Sequence, residues 1–248
     1  MKPKDRQAKI LEIVRRDGEA SVEALSAAFD VSAETVRRDL AALAEAGTLT
    51  KHHGGARRLR LHREGSFEDR LYDNAEAKSA IAAKLARAVE PGETLFIDTG
   101  TTTLACAEAL TGVEGLTVVT NSLAIARIMG ATGRTYLLGG AYVPGNDQTA
   151  GPFVIEEIGR FQADRAVLTV AALDAGAGAM DADMDEAQIA RAMIANARSV
   201  TVLAHKDKFA RRAAFKVCRL DEIDLLVSDE APVGSLASEL AEAGVEVQ

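Results

Sequence analysis

From Arg6 onward the apolar positions Ile10, Leu11, Ile13 and Val14 form a helical stripe that stops at Asp17-Gly18. Ser21 opens a shorter helical segment with Val22, Leu25 and Phe29 as its inward contacts, and Asp30-Val31-Ser32 interrupts it. Ser32 suits the N-cap of a third helix, in which Val36, Leu40 and Leu43 recur on the inner face. Glu34, Arg37, Arg38 and Ala41 are left on the outer side. Gly47 ends this helix, and residues 48–55 have room for a short two-stranded ribbon. Three short helices, a tight turn before the third, then a ribbon predict a winged helix-turn-helix over residues 1–56.

Further along, the period changes. Phe67 to Arg70 leads into a helix over 75–89 with Ile81, Leu85 and Val89 on one face. Strand-like runs follow at 94–97, 116–119, 135–138, 166–170, 199–203 and 223–227, and helical stretches at 104–110, 123–129, 186–197 and 236–243 alternate with them. This alternation predicts an α/β domain, residues 74–248, built on a mostly parallel sheet covered on both faces. Residues 57–73 are left as a linker.

Composition narrows the class. The chain has 248 residues, 48% hydrophobic and 27% charged, enough to bury a core without disulfides or metals. Its richest apolar run, Ala166 to Leu173, is strand-sized, so no membrane span is expected. The N-terminal residues lead into an amphipathic pattern rather than a signal core. Cys106 and Cys218 lie far apart in no ligand-like spacing, which fits a reducing cytoplasm, and with the four histidines they suggest no metal site. The net charge of −8 is divided unevenly. Residues 1–64 carry 13 basic against 10 acidic side chains, a balance of +3, whereas the remaining 184 carry 16 against 27, a balance of −11. A basic first module on an acidic protein is compatible with DNA binding.

The candidate chemistry divides in the same way. The N-terminal turn of the third helix would offer Ser32 and Thr35 to phosphates or base edges of double-stranded DNA, and its free N–H groups favour a phosphate as well. Arg37 and Arg38 could reach phosphates or guanine, with Lys51, His52 and His53 in the wing. Taken alone, an Arg-Arg pair reads more readily as a solvated helix face than as a DNA contact. In the second domain Asp98-Thr99-Gly100-Thr101-Thr102-Thr103 joins a strand to a helix and could cradle an anion. Thr120-Asn121-Ser122 and Gly139-Gly140 end the next two strands, where ligands of parallel sheets bind. Each turn singly is also ordinary turn chemistry.

The string from Val31 to Leu40, with Leu43, Gly47 and His53-Gly54-Gly55-Ala56, closely resembles the DeoR family of bacterial repressors. The turns at 98–102, 120–122 and 138–140, with Lys208-Phe209, match that family's sensor domain in the same order. The resemblance implies a sensor domain similar to ribose-5-phosphate isomerase-like folds. It also implies a homo-oligomer (dimer or tetramer) whose effector is a phosphorylated sugar or polyol that releases the repressor from its operator. The effector would be held by Asp98, Gly100, Thr101, Thr102, Thr103, Asn121, Ser122, Gly139, Gly140 and Lys208, with no cofactor. The segments at 172–174, 180–183 and 186–194 are similar to the glycerol-3-phosphate regulon repressor branch, which makes glycerol 3-phosphate the expected effector. One departure bears on this. The family commonly has Asp-x-Ser-Lys-Phe where this chain has His205-Lys206-Asp207-Lys208-Phe209, so an added carboxylate stands near the expected phosphate, with His205 and Lys206 as partial compensation.

An alternative stays open from the residues themselves: a sugar-phosphate isomerase or deaminase with an appended DNA-binding module. Asp98, Asp174, Asp181 and Glu186 are the acids that could abstract a proton, but each reads more readily as a turn, a cap or a solvated group. The chain is expected to be a regulator with no catalytic residue.

Overall fold

The computed structural model describes residues 2–45, 48–52, 54–58 and 65–248 and divides into two compact units, Met1–Leu61 and His62–Gln248. In the first unit α1 (Pro3–Asp17) is followed by β1 (Glu19–Ser21), α2 (Val22–Phe29), α3 (Ala33–Glu45), β2 (Leu49–His52) and β3 (Gly55–Arg58). The helices close on Ile10, Val14, Val22, Leu25, Val36, Leu40 and Leu43, all buried. These are the inward positions of the three stripes, except that Leu11, Ile13 and Phe29 are only partly covered. Ser21 caps α2 by accepting the Ala24 N–H at 3.0 Å, and Ser32 accepts that of Thr35 at 3.2 Å. Between the helices Asp30 adopts the left-handed conformation, φ 52°, which turns the chain tightly.

The expected two-stranded ribbon is the outer part of a three-stranded antiparallel sheet, β1-β3-β2. A Cβ on Gly55 would lie 2.3 Å from the Ala20 carbonyl oxygen, so only glycine lets β3 pack this closely beside β1. A buried ion pair between Arg6 and Asp39 joins α1 to α3. Gly47, His53 and residues 59–64 lie outside the described residues. Within 57–73, Arg57 and Arg58 complete β3 and residues 67–72 are helical.

The second unit runs α4 (Phe67–Tyr72), α5 (Ala75–Ala88), β4 (Thr94–Ile97), α6 (Thr101–Leu110), β5 (Thr117–Thr120), α7 (Leu123–Met129) and β6 (Arg134–Leu137). A hairpin of β7 (Ala141–Val143) and β8 (Gln148–Ala150) precedes α8 (Pro152–Ile158). Then follow β9 (Ala163–Thr169), β10 (Ala172–Asp174), β11 (Gly178–Asp181), α9 (Met184–Ala195), β12 (Ala197–Leu203), β13 (Phe215–Cys218), β14 (Leu225–Val227), α10 (Gly234–Glu242) and β15 (Glu246–Val247). Seven strands form one parallel sheet in the order β15-β14-β12-β9-β4-β5-β6.

Strand periodicity decides which side chains meet which helices. Leu95, Ile97, Val118, Val167, Leu203 and Leu225 join one buried cluster with Ile81 and Leu85 of α5, Cys106 and Leu110 of α6, and Ile125 of α7. The alternate residues Phe96, Val119, Ala166, Leu168, Val202 and Leu226 join the other, with Val154 of α8, Met193 of α9 and Leu240 of α10. From β4 the chain builds outward to β5 and β6, then returns to the other side of β4 with β9. The carboxyl ends of β4 and β9 therefore flank the point where strand order reverses, where open parallel sheets bind ligands.

Two expectations need correction here. The segment at 67–70 forms a separate helix capped by Ser66, and it breaks before α5 because Asn74 is left-handed, φ 55°. The helix expected from Leu104 begins at Thr101, so Thr101–Thr103 are its first turn rather than part of the loop before it.

Candidate functional site

On the first unit, α3 carries Glu34, Arg37 and Arg38 exposed on its outer side. Glu34 lies 3.7 Å from Arg37 and 3.6 Å from Arg38, a pair of solvent-screened contacts that each phosphate oxygen could displace at little cost. Ser32 and Thr35 stand at the N-terminal end of the same helix, their hydroxyls 3.0 Å apart. Lys51 and His52 are exposed on β2. The structure thus gathers Ser32, Thr35, Arg37 and Arg38 on one helix, with Lys51 and His52 on the ribbon. His53 lies outside the described residues. Asp39, beside the arginines in sequence, points the opposite way into the pair with Arg6.

The second unit contains a cavity of roughly 200 Å³ at the N-terminus of α6. Thr101 and Thr102 form one wall, and the helix end carries no side-chain cap. Free N–H groups at such an end, with the helix dipole, attract anions. Lys208 and Arg211, from the segment after β12, face Arg70 and Lys78 from α4 and α5. Asp73 and Asp207 also line it, leaving four cations against two carboxylates. Lys78 and Lys208 are both buried, and their ammonium groups donate to the carbonyls of Arg70 and Val170. Concentrated positive charge on a concave wall raises the local anion concentration.

His205 completes the wall. Burial, then the nearby Lys208 ammonium, pushes its imidazole down to about 4, so it is neutral at pH 7. Its Nδ1 is buried with no hydrogen-bond partner among the described residues, and the Asp207 carboxylate stands 3.9 Å away.

A second, much smaller cavity of about 10 Å³ is lined by Asp98, Thr99, Asn121, Gln148, Asp181 and Glu186. Asp98 follows β4 directly and accepts the Thr169 N–H at the end of β9, at 2.9 and 3.1 Å to its two oxygens. Burial holds the Asp98 carboxyl well above the usual range against the help of that N–H. Gly100 sits between the two cavities in sequence, and a Cβ there would lie 2.2 Å from the Thr169 methyl.

Of the ten residues expected to hold an effector, the structure brings Thr101, Thr102 and Lys208 to the larger cavity and Asp98 and Asn121 to the smaller. Gly100 lets the turn pack. The other four line neither cavity. Thr103 is fully buried and donates to the Gly100 carbonyl at 3.0 Å, and Ser122 caps α7. The Gly139 N–H is taken by the Glu157 carboxylate at 2.6 Å, and Gly140 is closed in by Val154 and Ala150. Arg70, Lys78 and Arg211 were absent from the expected set. Lys78 left a signal in the sequence: it falls on the α5 stripe of Ile81, Ala82 and Leu85, where a charge has no packing reason to be.

Comparison with known proteins follows the same division. Residues 6–60 match the DeoR-like helix-turn-helix domain, and residues 73–230 match the DeoR C terminal sensor domain. The chain is 33% identical over 98% of its length to the HTH-type transcriptional repressor CsqR of Escherichia coli (strain K12), covering 94% of that protein. It is 34% identical over 94% of its length to the glycerol-3-phosphate regulon repressor of Haemophilus influenzae, covering 92% of it. Among solved structures, the tetrameric eIF2B-beta2-delta2 complex from C. thermophilum aligns with a TM-score of 0.50 at 15% identity, over 71% of this chain and 63% of that one. Ribose 5-phosphate isomerase A from Methanocaldococcus jannaschii aligns with a TM-score of 0.42 at 14% identity, over 55% of each chain.

Proposed function

This chain belongs to the DeoR family of transcriptional repressors, and from that premise we propose that its second unit senses a phosphorylated sugar or polyol, glycerol 3-phosphate first among them, and that the bound effector releases the protein from its operator. The observation that carries this reading is the larger cavity: an uncapped helix end, two threonine side chains and four cations converge on a space of phosphate-ester size. In this reading the phosphate takes the α6 N–H groups, the hydroxyls of Thr101 and Thr102, and the Lys208 ammonium. Support for glycerol 3-phosphate comes from a relative named for that regulon at 34% identity.

The first unit is proposed to enter the major groove with α3. Ser32, Thr35, Arg37 and Arg38 face the DNA and Lys51, His52 and His53 follow the adjacent backbone. The second unit, which includes α4, is proposed as the effector domain. A module with a balance of only +3 gains affinity when an oligomer places two or more copies on repeated half-sites. The effector then acts by favouring an arrangement that misplaces the modules, and a nearly complete switch needs it to bind that arrangement ~10⁴-fold more tightly. The chain is proposed to have no catalytic role, because its acids serve as turn acceptors, caps and lining of the sensor site.

Isothermal titration of the full chain with glycerol 3-phosphate and inorganic phosphate tests the site. Saturable binding is expected, weakened at least ~10-fold in Lys208→Ala, the scale of one charge-assisted hydrogen bond. Lys208→Gln, which keeps a donor for the Val170 carbonyl, separates a lost ligand contact from a lost internal bond. Equal affinity in wild type and both variants would remove Lys208 from the site.

A further inference from the structure

The seven-stranded sheet ends differently on its two sides. At one edge β15 is two residues long and carries Glu246. At the other, β6 has four residues, and among the described residues it pairs along one side, with β5. The Leu138 N–H bonds the Thr120 carbonyl of β5. Backbone groups alternate along a strand, so Arg134 and Tyr136 also turn theirs toward β5, and Thr135 and Leu137 turn theirs outward. Two residues beyond Leu137, the N–H of Gly139 is taken by the Glu157 carboxylate. The open edge is therefore short and defined: the N–H and C=O of Thr135 and Leu137.

Apolar side chains surround it. Tyr136 and Leu137 lie on opposite faces of β6 and are 41% and 48% exposed, where a strand of a parallel sheet ordinarily has both faces covered. Phe153, 71% exposed, stands on α8, the helix whose Glu157 reaches Gly139. The Tyr136 ring is held against Phe161, with centroids 5.2 Å apart. Native proteins protect a free edge with charge, proline or a covering element, and β6 has Arg134 as its one charged residue and no proline.

These groups complement themselves. When two β6 strands lie antiparallel, Thr135 of one copy faces Leu137 of the other and the reverse, and every outward N–H and C=O is used. Tyr136 then meets its own counterpart on the two-fold axis, at the close Cα separation of about 4.5 Å that a non-hydrogen-bonded pair has. The two tyrosine rings, each already against a Phe161, join in one apolar cluster. Sliding the strands by two residues puts Leu137 opposite Gly133 or Thr135 opposite Gly139, outside β6. We infer that β6 is the surface through which the second unit pairs with a second copy of this chain, edge to edge about a two-fold axis, so that one sheet continues into the other. The inference rests on the oligomer reading given above and supplies its surface.

Sedimentation equilibrium of the full chain at micromolar concentration tests the surface, and crosslinking tests the register. Wild type is expected at twice the single-chain mass or a multiple of that. Tyr136→Lys sets two like charges on the axis and is expected at half the wild-type mass, with circular dichroism unchanged. Val233→Lys, at an exposed apolar residue before α10, is expected to keep the wild-type mass. Tyr136→Cys is expected to form a disulfide between copies on mild oxidation, and both native cysteines are buried. Leu137→Cys is not, because in this register its two copies stand beyond the roughly 7 Å that a disulfide spans. The β6 surface is overturned, with the oligomer reading intact, if wild type is an oligomer whose mass Tyr136→Lys leaves unchanged or Val233→Lys lowers equally. Leu137→Cys crosslinking as fast as Tyr136→Cys, or no crosslink through Tyr136→Cys, overturns it too, and these variants decide alone if Tyr136→Lys does not fold. A single-chain mass for wild type removes the oligomer reading and this surface together.

Discussion

His205 stands where a charged imidazole would be least welcome, behind the ammonium groups of Lys78 and Lys208, with Asp207 and Asp229 the opposing charges. Its folded value, about 4, lies below the ordinary 6.5. A histidine depressed in the native state contributes stability that is complete above pH 6.5 and is lost as pH falls toward 4, because the unfolded chain takes up the proton first. Melting followed from pH 7 to pH 5 should therefore show wild type losing ground relative to His205→Asn, which cannot titrate there. Parallel curves for the two proteins would mean that His205 is solvated. The departure from the family's usual aspartate at this position was legible in the sequence, but its effect was not. An aspartate or a surface histidine would add charge to the site, whereas this one is neutral and buried. Thr101 and Thr102 were readable because a hydroxyl-rich strand-to-helix turn lies at the ligand-binding end of a parallel α/β sheet, whereas Lys208 was indicated only by the family resemblance. Arg70 and Arg211 were not, because nothing in sequence brings helices α4 and α5 beside the segment after β12.

At the scale of elements, α3 depends on a contact that its own surface does not show. The Arg6–Asp39 pair is covered between α1 and α3, and removing one partner leaves the other charge uncompensated, which destabilises the packing of the two helices. Asp39→Ala should lower the melting temperature and weaken DNA binding through the fold, whereas Arg38→Ala on the exposed face should lose DNA binding with melting unchanged. Chemical denaturation beside a DNA-binding assay checks both, and an Asp39→Ala protein as stable as wild type would contradict the buried-pair argument. Long periodic helices and the strands of the parallel sheet could be read from their patterns. The hairpin β7–β8, the small sheet of β10, β11 and β13, and β1 could not. These strands are only three or four residues long, and β1 (Glu-Ala-Ser), β10 (Ala-Leu-Asp) and β11 (Gly-Ala-Met-Asp) contain none of the β-branched and aromatic residues that mark a strand. What holds β1 and β13 is pairing with segments distant in sequence, Glu19 with Arg57 and Lys216 with Met180. That omission mattered for the site, since β8 and β11 supply Gln148 and Asp181 to the smaller cavity.

For the whole molecule, the balance of +3 over residues 1–64 against −11 over the rest matches the proposed division of labour, DNA for the first unit and a phosphate ester for the second. Among the described residues no helix is long and apolar enough to cross a membrane. The proposed coupling between the two units is that filling the phosphate cavity lowers affinity for DNA. The most direct measurement is fluorescence anisotropy of the full chain on a duplex it has itself selected from a random pool, at fixed salt, titrated with glycerol 3-phosphate. Release of the duplex is expected in wild type and is expected to need at least ~10-fold more ester in Lys208→Ala, with the DNA affinity of the two proteins equal before ester is added. A duplex that stays bound while calorimetry shows the ester site saturated would contradict it.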